Sequence, residues 1–263
     1  MVSILELNFS HRFEGLIWNM VAGGERDPLV IEVRDMTTRR VSFSALHPIT
    51  GDFLWRDRML EEPWWVNLTL VSDGVVLFTV YLDTNNPDKK GILAYNATDL
   101  SLIWWNNDFS VSSLTSSALR GYSQKFGMKE VTVEMATGKE IKFPHDDTIL
   151  EPFLLKKPVQ YVEGTEYFET VKTFLSKQLN LKVVSALEYL ETEESMVISC
   201  YLADAESHDL ANFLIVFSKT GECLLKEEIS SRVKGIGFDT FFVLRNNLIF
   251  IKNKNELLSY RIL

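Results

Sequence analysis

Four observations predict an all-β protein, a β-propeller of four-stranded antiparallel blades. Short apolar runs rich in Val, Ile, Leu and Phe, each bounded by turn residues, recur along almost the whole chain of 263 residues. Two stretches, Ala45-Leu-His-Pro-Ile-Thr50-Gly51-Asp-Phe-Leu-Trp55 and Ala94-Tyr-Asn-Ala-Thr98-Asp99-Leu-Ser-Leu-Ile-Trp104, share one skeleton: a small residue, a polar turn with Thr, and a Trp ten residues on. The turn centres Thr50, Asp99, Thr137 and Thr220 are spaced by 49, 38 and 83 residues, the last near two repeats, so the period is close to 42. Such a period marks stacked units that bury their faces against one another. Finally, the last unit is one strand short, and a stray strand precedes the first.

Taken in order, Ile4–Phe9 is the stray strand. The first unit reads Leu16–Val21, Leu29–Arg34, Val41–Leu46 and Phe53–Arg58, and the second Val66–Val71, Val75–Leu82, Gly91–Tyr95 and Leu102–Trp105. A weaker third covers Ser110–Ser116, Ala118–Ser123, Glu130–Glu134 and Glu140–Phe143. A late unit reads Ser185–Leu190, Met196–Leu202, Phe213–Phe217 and Cys223–Glu228. The final one holds only Thr240–Leu244, Leu248–Lys252 and Glu256–Ile262. Leu258-Ser-Tyr260-Arg aligns with Leu93-Ala-Tyr95-Asn, the third position of its unit. The N-terminal strand should therefore supply the fourth, closing a ring and hiding open sheet edges.

The segment of about 146–182 breaks this pattern. Phe168, Val171, Phe174, Leu175, Gln178 and Leu179 recur at helical spacing after Thr165, predicting a helix over 166–179 packed against the sheets. It is either an insertion or part of a degenerate fourth unit, which leaves five or six blade positions. Residues 1–263 read as a single domain.

The skeleton Ala-x-Asp-x-x-Thr-Gly-x-x-x-Trp resembles the repeat of quinoprotein-type β-propellers. Ala45, Thr50, Gly51 and Trp55 match it, with His47 at the Asp position. Ala94 and Trp104 match the second copy, with Asn96 for Asp and the Thr displaced to Thr98; Thr137-Gly138 and Thr220-Gly221 keep the turn alone. The arrangement of Ser10-His-Arg-Phe-Glu-Gly-Leu-Ile-Trp18 and Glu62-Pro-Trp-Trp65 is also similar to an uncharacterised bacterial family of propeller-like proteins with no assigned activity. The resemblance implies that each Trp packs between neighbouring blades. It implies a fold more than a chemistry. A quinone cofactor needs calcium ligands and stacking residues that cannot be assigned here, so no cofactor is expected.

The net charge of −9 lacks the footprint of a nucleic-acid binder and disfavours anionic membrane surfaces. Cys200 and Cys223 are expected as free, buried thiols. No secretory signal is legible in Met1-Val-Ser-Ile-Leu-Glu-Leu, and no apolar run is long enough to span a membrane, so a cytoplasmic monomer is expected. His11, His47, His145 and His208 have no metal-ligand spacing, and no nucleophile motif is present, so no catalytic or metal residue is assigned.

Propeller geometry places one class of connection together. Each outer strand leads into the next inner strand across one face, beside the central channel. The five connections Ser10-His11-Arg12, Glu61-Glu62-Pro-Trp64, Asn106-Asn107-Asp108, Pro144-His145-Asp146-Asp147 and Ser231-Arg232-Val-Lys234 should converge there. They nominate His11, Arg12, Glu62, Trp64, Asn107, Asp108, His145, Asp147 and Arg232 as a surface for a protein or peptide partner. Of Trp64 and Trp65, alternation sends one between blades and allows the other to line the mouth, but core packing of both is the expectation. The alternative is a glycoside hydrolase-like enzyme with Glu62, Asp108 or Asp147 as acid and base, which needs two carboxylates about 5–10 Å apart.

Overall fold

The computed structural model describes residues 2–114, 118–123, 128–142, 155–203 and 209–262. The fold is all-β, with one helix among the described residues. The chain divides into two compact units, one formed by Glu14–Phe153 and the other by Met1–Phe13 together with Leu154–Leu263. Two N-terminal strands, β1 (Val2–Ser3) and β2 (Leu7–Arg12), belong to the latter.

Glu14–Phe153 carries three antiparallel sheets. β3 (Leu16–Ala22), β4 (Leu29–Asp35), β5 (Arg40–Leu46) and β6 (Phe53–Arg58) pair in chain order. So do β7 (Val66–Ser72), β8 (Val75–Tyr81), β9 (Lys90–Asn96) and β10 (Leu102–Asn106). β11 (Phe109–Leu114), β12 (Ala118–Ser123) and β13 (Lys129–Glu134) form the third. The expected strand Glu140–Phe143 is reduced to one bridge, Val133 with Glu140, and Phe143 lies outside the described residues. An inner-middle strand such as β4 is buried at every position from Leu29 to Arg34, because both of its faces are covered.

The two Trp residues of the skeleton join sheet to sheet. Trp55 on β6 is buried, and its indole N–H donates to Ala97 O at 2.9 Å; Trp104 on β10 does the same to Met135 O at 2.8 Å. Each carbonyl lies just past the third strand of the following sheet. Burying such an aromatic is worth about 2–3 kcal/mol, and its N–H satisfies a carbonyl that would otherwise be stranded. The preceding turn needs a left-handed residue, supplied by Gly51 (φ 77°) in one copy and Leu100 (φ 58°) in the other. In the second copy the Asp99 carboxylate shapes the turn, accepting from Ser101 N at 2.9 Å and Ser101 Oγ at 2.7 Å.

The other unit holds β14 (Leu155–Lys156), β15 (Val159–Val162), α1 (Glu166–Leu179), β16 (Val183–Glu191), β17 (Ser195–Ala203), β18 (Leu210–Ser218), β19 (Cys223–Val233), β20 (Phe241–Leu244), β21 (Asn247–Lys252) and β22 (Glu256–Arg261). One sheet runs β1-β19-β18-β17-β16-β15 and the other β14-β20-β21-β22-β2. The N-terminal strand does complete the last sheet: Leu7 faces Tyr260, Phe9 faces Ser259 and His11 faces Leu257. It spans Leu7–Arg12 rather than Ile4–Phe9, because β1 and Ile4 pair instead with β19. The irregular segment resolves into β14, β15 and the helix; its residues 146–154 lie outside the described set.

Helix α1 starts where its sequence says. Thr165 is extended and its side chain accepts from Phe168 N; Glu166 and Glu169 sit in the first turn, and Asn180 ends the helix left-handed (φ 54°). Phe168 and Leu175 are buried, and with Val171, Phe174 and Leu179 they cover Val183, Leu187, Ile198, Ile215 and Phe217 of the six-stranded sheet. The helical stripe is thus core.

Candidate functional site

In Glu14–Phe153 the connection from β6 to β7, Met59–Trp65, gathers Glu62, Trp64 and Trp65. Pro63 O accepts from Val41 N at 2.7 Å, pinning it to β5. Glu62 Oε1 accepts from Trp64 N at 3.0 Å and Trp65 N at 2.8 Å, so this carboxylate is the brace of a turn. The expected core packing of both indoles is not met, and the nominated residue is corrected. Trp64 packs against the core shared by the first two sheets, while Trp65 stays 45% exposed.

Trp64 also flanks a guanidinium. Arg34 on β4 lies 5.0 Å from the Trp64 ring centroid and 5.4 Å from that of Trp18 on β3. Its Nε donates to Glu32 Oε1 at 2.7 Å, its Nη2 to Val66 O at 2.8 Å and Asn67 Oδ1 at 2.6 Å, and its Nη1 to Trp64 O at 3.4 Å. Glu32 is fully buried, and its other oxygen accepts from Leu68 N at 2.7 Å. Asn67 Nδ2 continues the chain to the Tyr81 hydroxyl at 3.2 Å, and the Lys90 ammonium sits over the Tyr81 ring. A buried ion pair is tolerable only with such complete satisfaction. Around this rigid centre Trp18 remains 60% exposed.

Beside the connection a shallow groove of about 480 Å³ is lined by Met59, Leu60, Glu61, Tyr95 and Leu100, with Asp57 and Arg58 at its edge. Burial, and then the neighbouring Glu61 charge, push the Tyr95 hydroxyl above its ordinary range. The other nominated pair of this unit, Asn107 and Asp108, forms the exposed turn from β10 to β11, where Asp108 N donates to Asn106 Oδ1 at 2.9 Å. Asn107 also packs by its backbone on Gly91, where an added Cβ would lie 3.1 Å from Asn107 Cα.

In the other unit His11, Arg12 and Arg232 are corrected from connection to strand. His11 and Arg12 lie on β2, His11 stacked on Phe9 (5.3 Å, 23°) and Arg12 Nη2 3.3 Å from Glu256 Oε2. The partner strand β22 runs opposite both, so pairing continues past the apolar residues. Arg232 is exposed near the end of β19 with a left-handed backbone (φ 52°). His145 and Asp147 lie outside the described residues.

This unit has its own buried acid. Glu188 accepts from Asp239 N at 2.6 Å, Thr240 N at 2.9 Å and the Thr240 hydroxyl at 2.5 Å. Ser199 Oγ lies 2.8 Å from Thr240 Oγ1 and donates to Asn212 Oδ1 at 2.9 Å. These contacts fix the start of β20 on β16 and β17. The Cys200 thiol is pushed up to about 12 by burial, against a small opposing effect of Lys226, and the Tyr189 hydroxyl to about 12 by burial and its bond to Glu191. Neither is an activated nucleophile. Among the described residues no three His, Cys, Asp or Glu side chains converge as metal ligands, and no helix is long and apolar enough to cross a membrane.

Residues 22–104 match a family described as "Domain of unknown function (DUF4905)", and no quinoprotein-repeat family matches. No curated protein matches the chain. Among solved structures, the crystal structure of a eukaryotic initiation factor is similar at 7% identity and TM-score 0.34, over 93% of this chain and 52% of that one. The β-propeller domain of the Trilobed protease from Pyrococcus furiosus is similar at 9% identity and TM-score 0.33, over 94% and 69%. An exo-1,5-alpha-L-arabinanase from a bovine ruminal metagenomic library is similar at 10% identity and TM-score 0.28, over 94% and 95%. The chain spans about half the length of the initiation-factor structure.

Proposed function

We propose that the sheets are propeller blades, with β2 completing the last of them, and that the protein is a non-catalytic, cytoplasmic scaffold. It binds a protein or peptide through the connections between successive sheets. The observation that carries the reading is the exposed Trp18 indole beside Arg34, in an Arg34–Glu32 centre whose polar atoms are all engaged, with the exposed Trp65 next in the chain to Trp64, the other indole at that guanidinium. Exposed aromatics on a rigid support bind at low entropic cost. Asn107 and Asp108, exposed in the connection from β10 to β11 of the same unit, stand as polar contributors. Glu62 contributes by holding the Trp64–Trp65 turn, since its Oε1 is occupied by two backbone amides.

The test compares proteins recovered from a lysate on immobilised wild type, a Trp18→Ala/Trp65→Ala variant and a Lys139→Ala control, all with matched melting. Loss of specific proteins on the double variant alone supports the rim. Equal recovery on all three rejects it.

A further inference from the structure

The outer edges of the sheets are treated differently. The edge of β19 is covered by β1, and that of β22 by β2. β6 ends its sheet with no strand on its outer side among the described residues, but Arg56, Asp57 and Arg58 are exposed on it, and Asp57 kinks it with a left-handed backbone (φ 52°). Charges and kinks of this sort are the usual protection of a free edge. β10 also ends its sheet, and among the described residues no strand pairs with its outer side. It carries no charge from Leu102 to Asn106, and Leu102, Ile103 and Trp105 are 48%, 43% and 63% exposed. The strand is anchored from behind by Trp104, so it is presented rigidly.

We propose that β10 is a docking edge for an extended apolar segment of a partner protein, added as a fifth strand to the β7–β10 sheet. Unpaired backbone groups supply the main-chain bonds, and Leu102, Ile103 and Trp105 receive the partner's apolar side chains. Charge defines the flanks. Asp99 and Asp108 bracket the strand, so the segment carries Lys or Arg at both ends. The same charges select against a second copy of this chain. Two β10 strands paired antiparallel about Trp104 set each Asp108 opposite Leu100 of the other, beside its Asp99, which brings like charges together at both ends. This edge is independent of the Trp18–Trp65 surface.

The probe is a dye-labelled synthetic peptide, Lys-Val-Thr-Val-Thr-Val-Lys, followed by fluorescence anisotropy. Saturable binding is expected, weakened at least about tenfold by Trp105→Lys, by N-methylation of alternate peptide amides, and by replacing both peptide lysines with glutamate. Arg56→Ala on β6 should leave it unchanged. No saturation by about 1 mM overturns the proposal, as does equal binding of the N-methylated peptide or equal binding by Trp105→Lys. Sedimentation showing a dimer that Trp105→Lys dissolves overturns it in favour of self-pairing. Binding equally strong with glutamate flanks overturns the assigned partner chemistry. Circular dichroism and melting of Trp105→Lys show that the exposed substitution leaves the fold intact.

Discussion

Strands β6 and β10 are two copies of one plan that diverge on one side. Each follows a turn with a left-handed residue, and each sends a buried Trp to a carbonyl of the next sheet. Their other positions share nothing: Arg56, Asp57 and Arg58 on the first, Leu102, Ile103 and Trp105 on the second. The repeat therefore dictates what points inward and leaves the outer side open to change. Assembly depends on the first set of residues, so specificity has room only in the second.

The comparison breaks hardest at the anchors. Trp55→Ala and Trp104→Ala should each cost about 3–5 kcal/mol in urea unfolding. A loss under about 1 kcal/mol at either position would show that the two copies are not equivalent. Next come the finer parts of the anchor. Trp55→Phe and Trp104→Phe keep the ring but strand a buried carbonyl, for about 1–3 kcal/mol each. Gly138→Ala places a Cβ 2.5 Å from the Trp104 ring at φ 68°, whereas Gly74→Ala at φ 76° meets nothing within 4 Å. The first should exceed the second, which carries only the left-handed penalty of about 1–2 kcal/mol.

Exchanging the outer sides should barely move stability. Trp105→Lys on β10 and an Arg56→Leu/Arg58→Ile pair on β6 should each stay within about 0.5 kcal/mol in the same unfolding assay. The β6 pair should instead promote concentration-dependent association seen by sedimentation, because it removes an edge's protection. The smallest effect is in the turns. The side-chain and backbone bonds from Ser101 hold the Asp99 carboxyl below its ordinary value. A depressed folded-state value contributes stability that is complete above the unfolded carboxylate range and fades as pH falls through the folded one. Asp99→Asn should therefore flatten a small acid-side slope in melting temperature.

Most of the strands are legible because apolar residues alternate or run continuously between turn residues, and α1 because its cap and stripe agree. β1, β14 and β15 are not, since strands of two to four residues have no period to read and exist only through β19, β20 and β16. Among the described residues the expected fourth strand of the third sheet is represented by the Val133–Glu140 bridge, and the rest of that segment from Phe143 on lies outside them. For the candidate site, Glu62, Asn107 and Asp108 lie in connections as the strand order requires. His11, Arg12 and Arg232 lie in strands, where length is set by the partner rather than by apolar content. The Glu32–Arg34 pair was visible as two opposite charges, two residues apart, inside an otherwise apolar strand. The exposure of Trp105 was not, because an unbroken Leu-Ile-Trp-Trp run reads as buried on both faces.

The partnership of β2 with β22 joins residues that lie far apart in the chain, Leu7 opposite Tyr260. At the usual pace of a ribosome, Leu7–Arg12 emerges on the order of tens of seconds before Glu256–Arg261. Throughout that interval Phe9, buried in the finished protein, has no strand to lie against. The nascent chain thus carries an unsatisfied hydrophobic segment while Glu14–Phe153 can already assemble, and a chaperone that holds extended segments is the natural guardian of that wait.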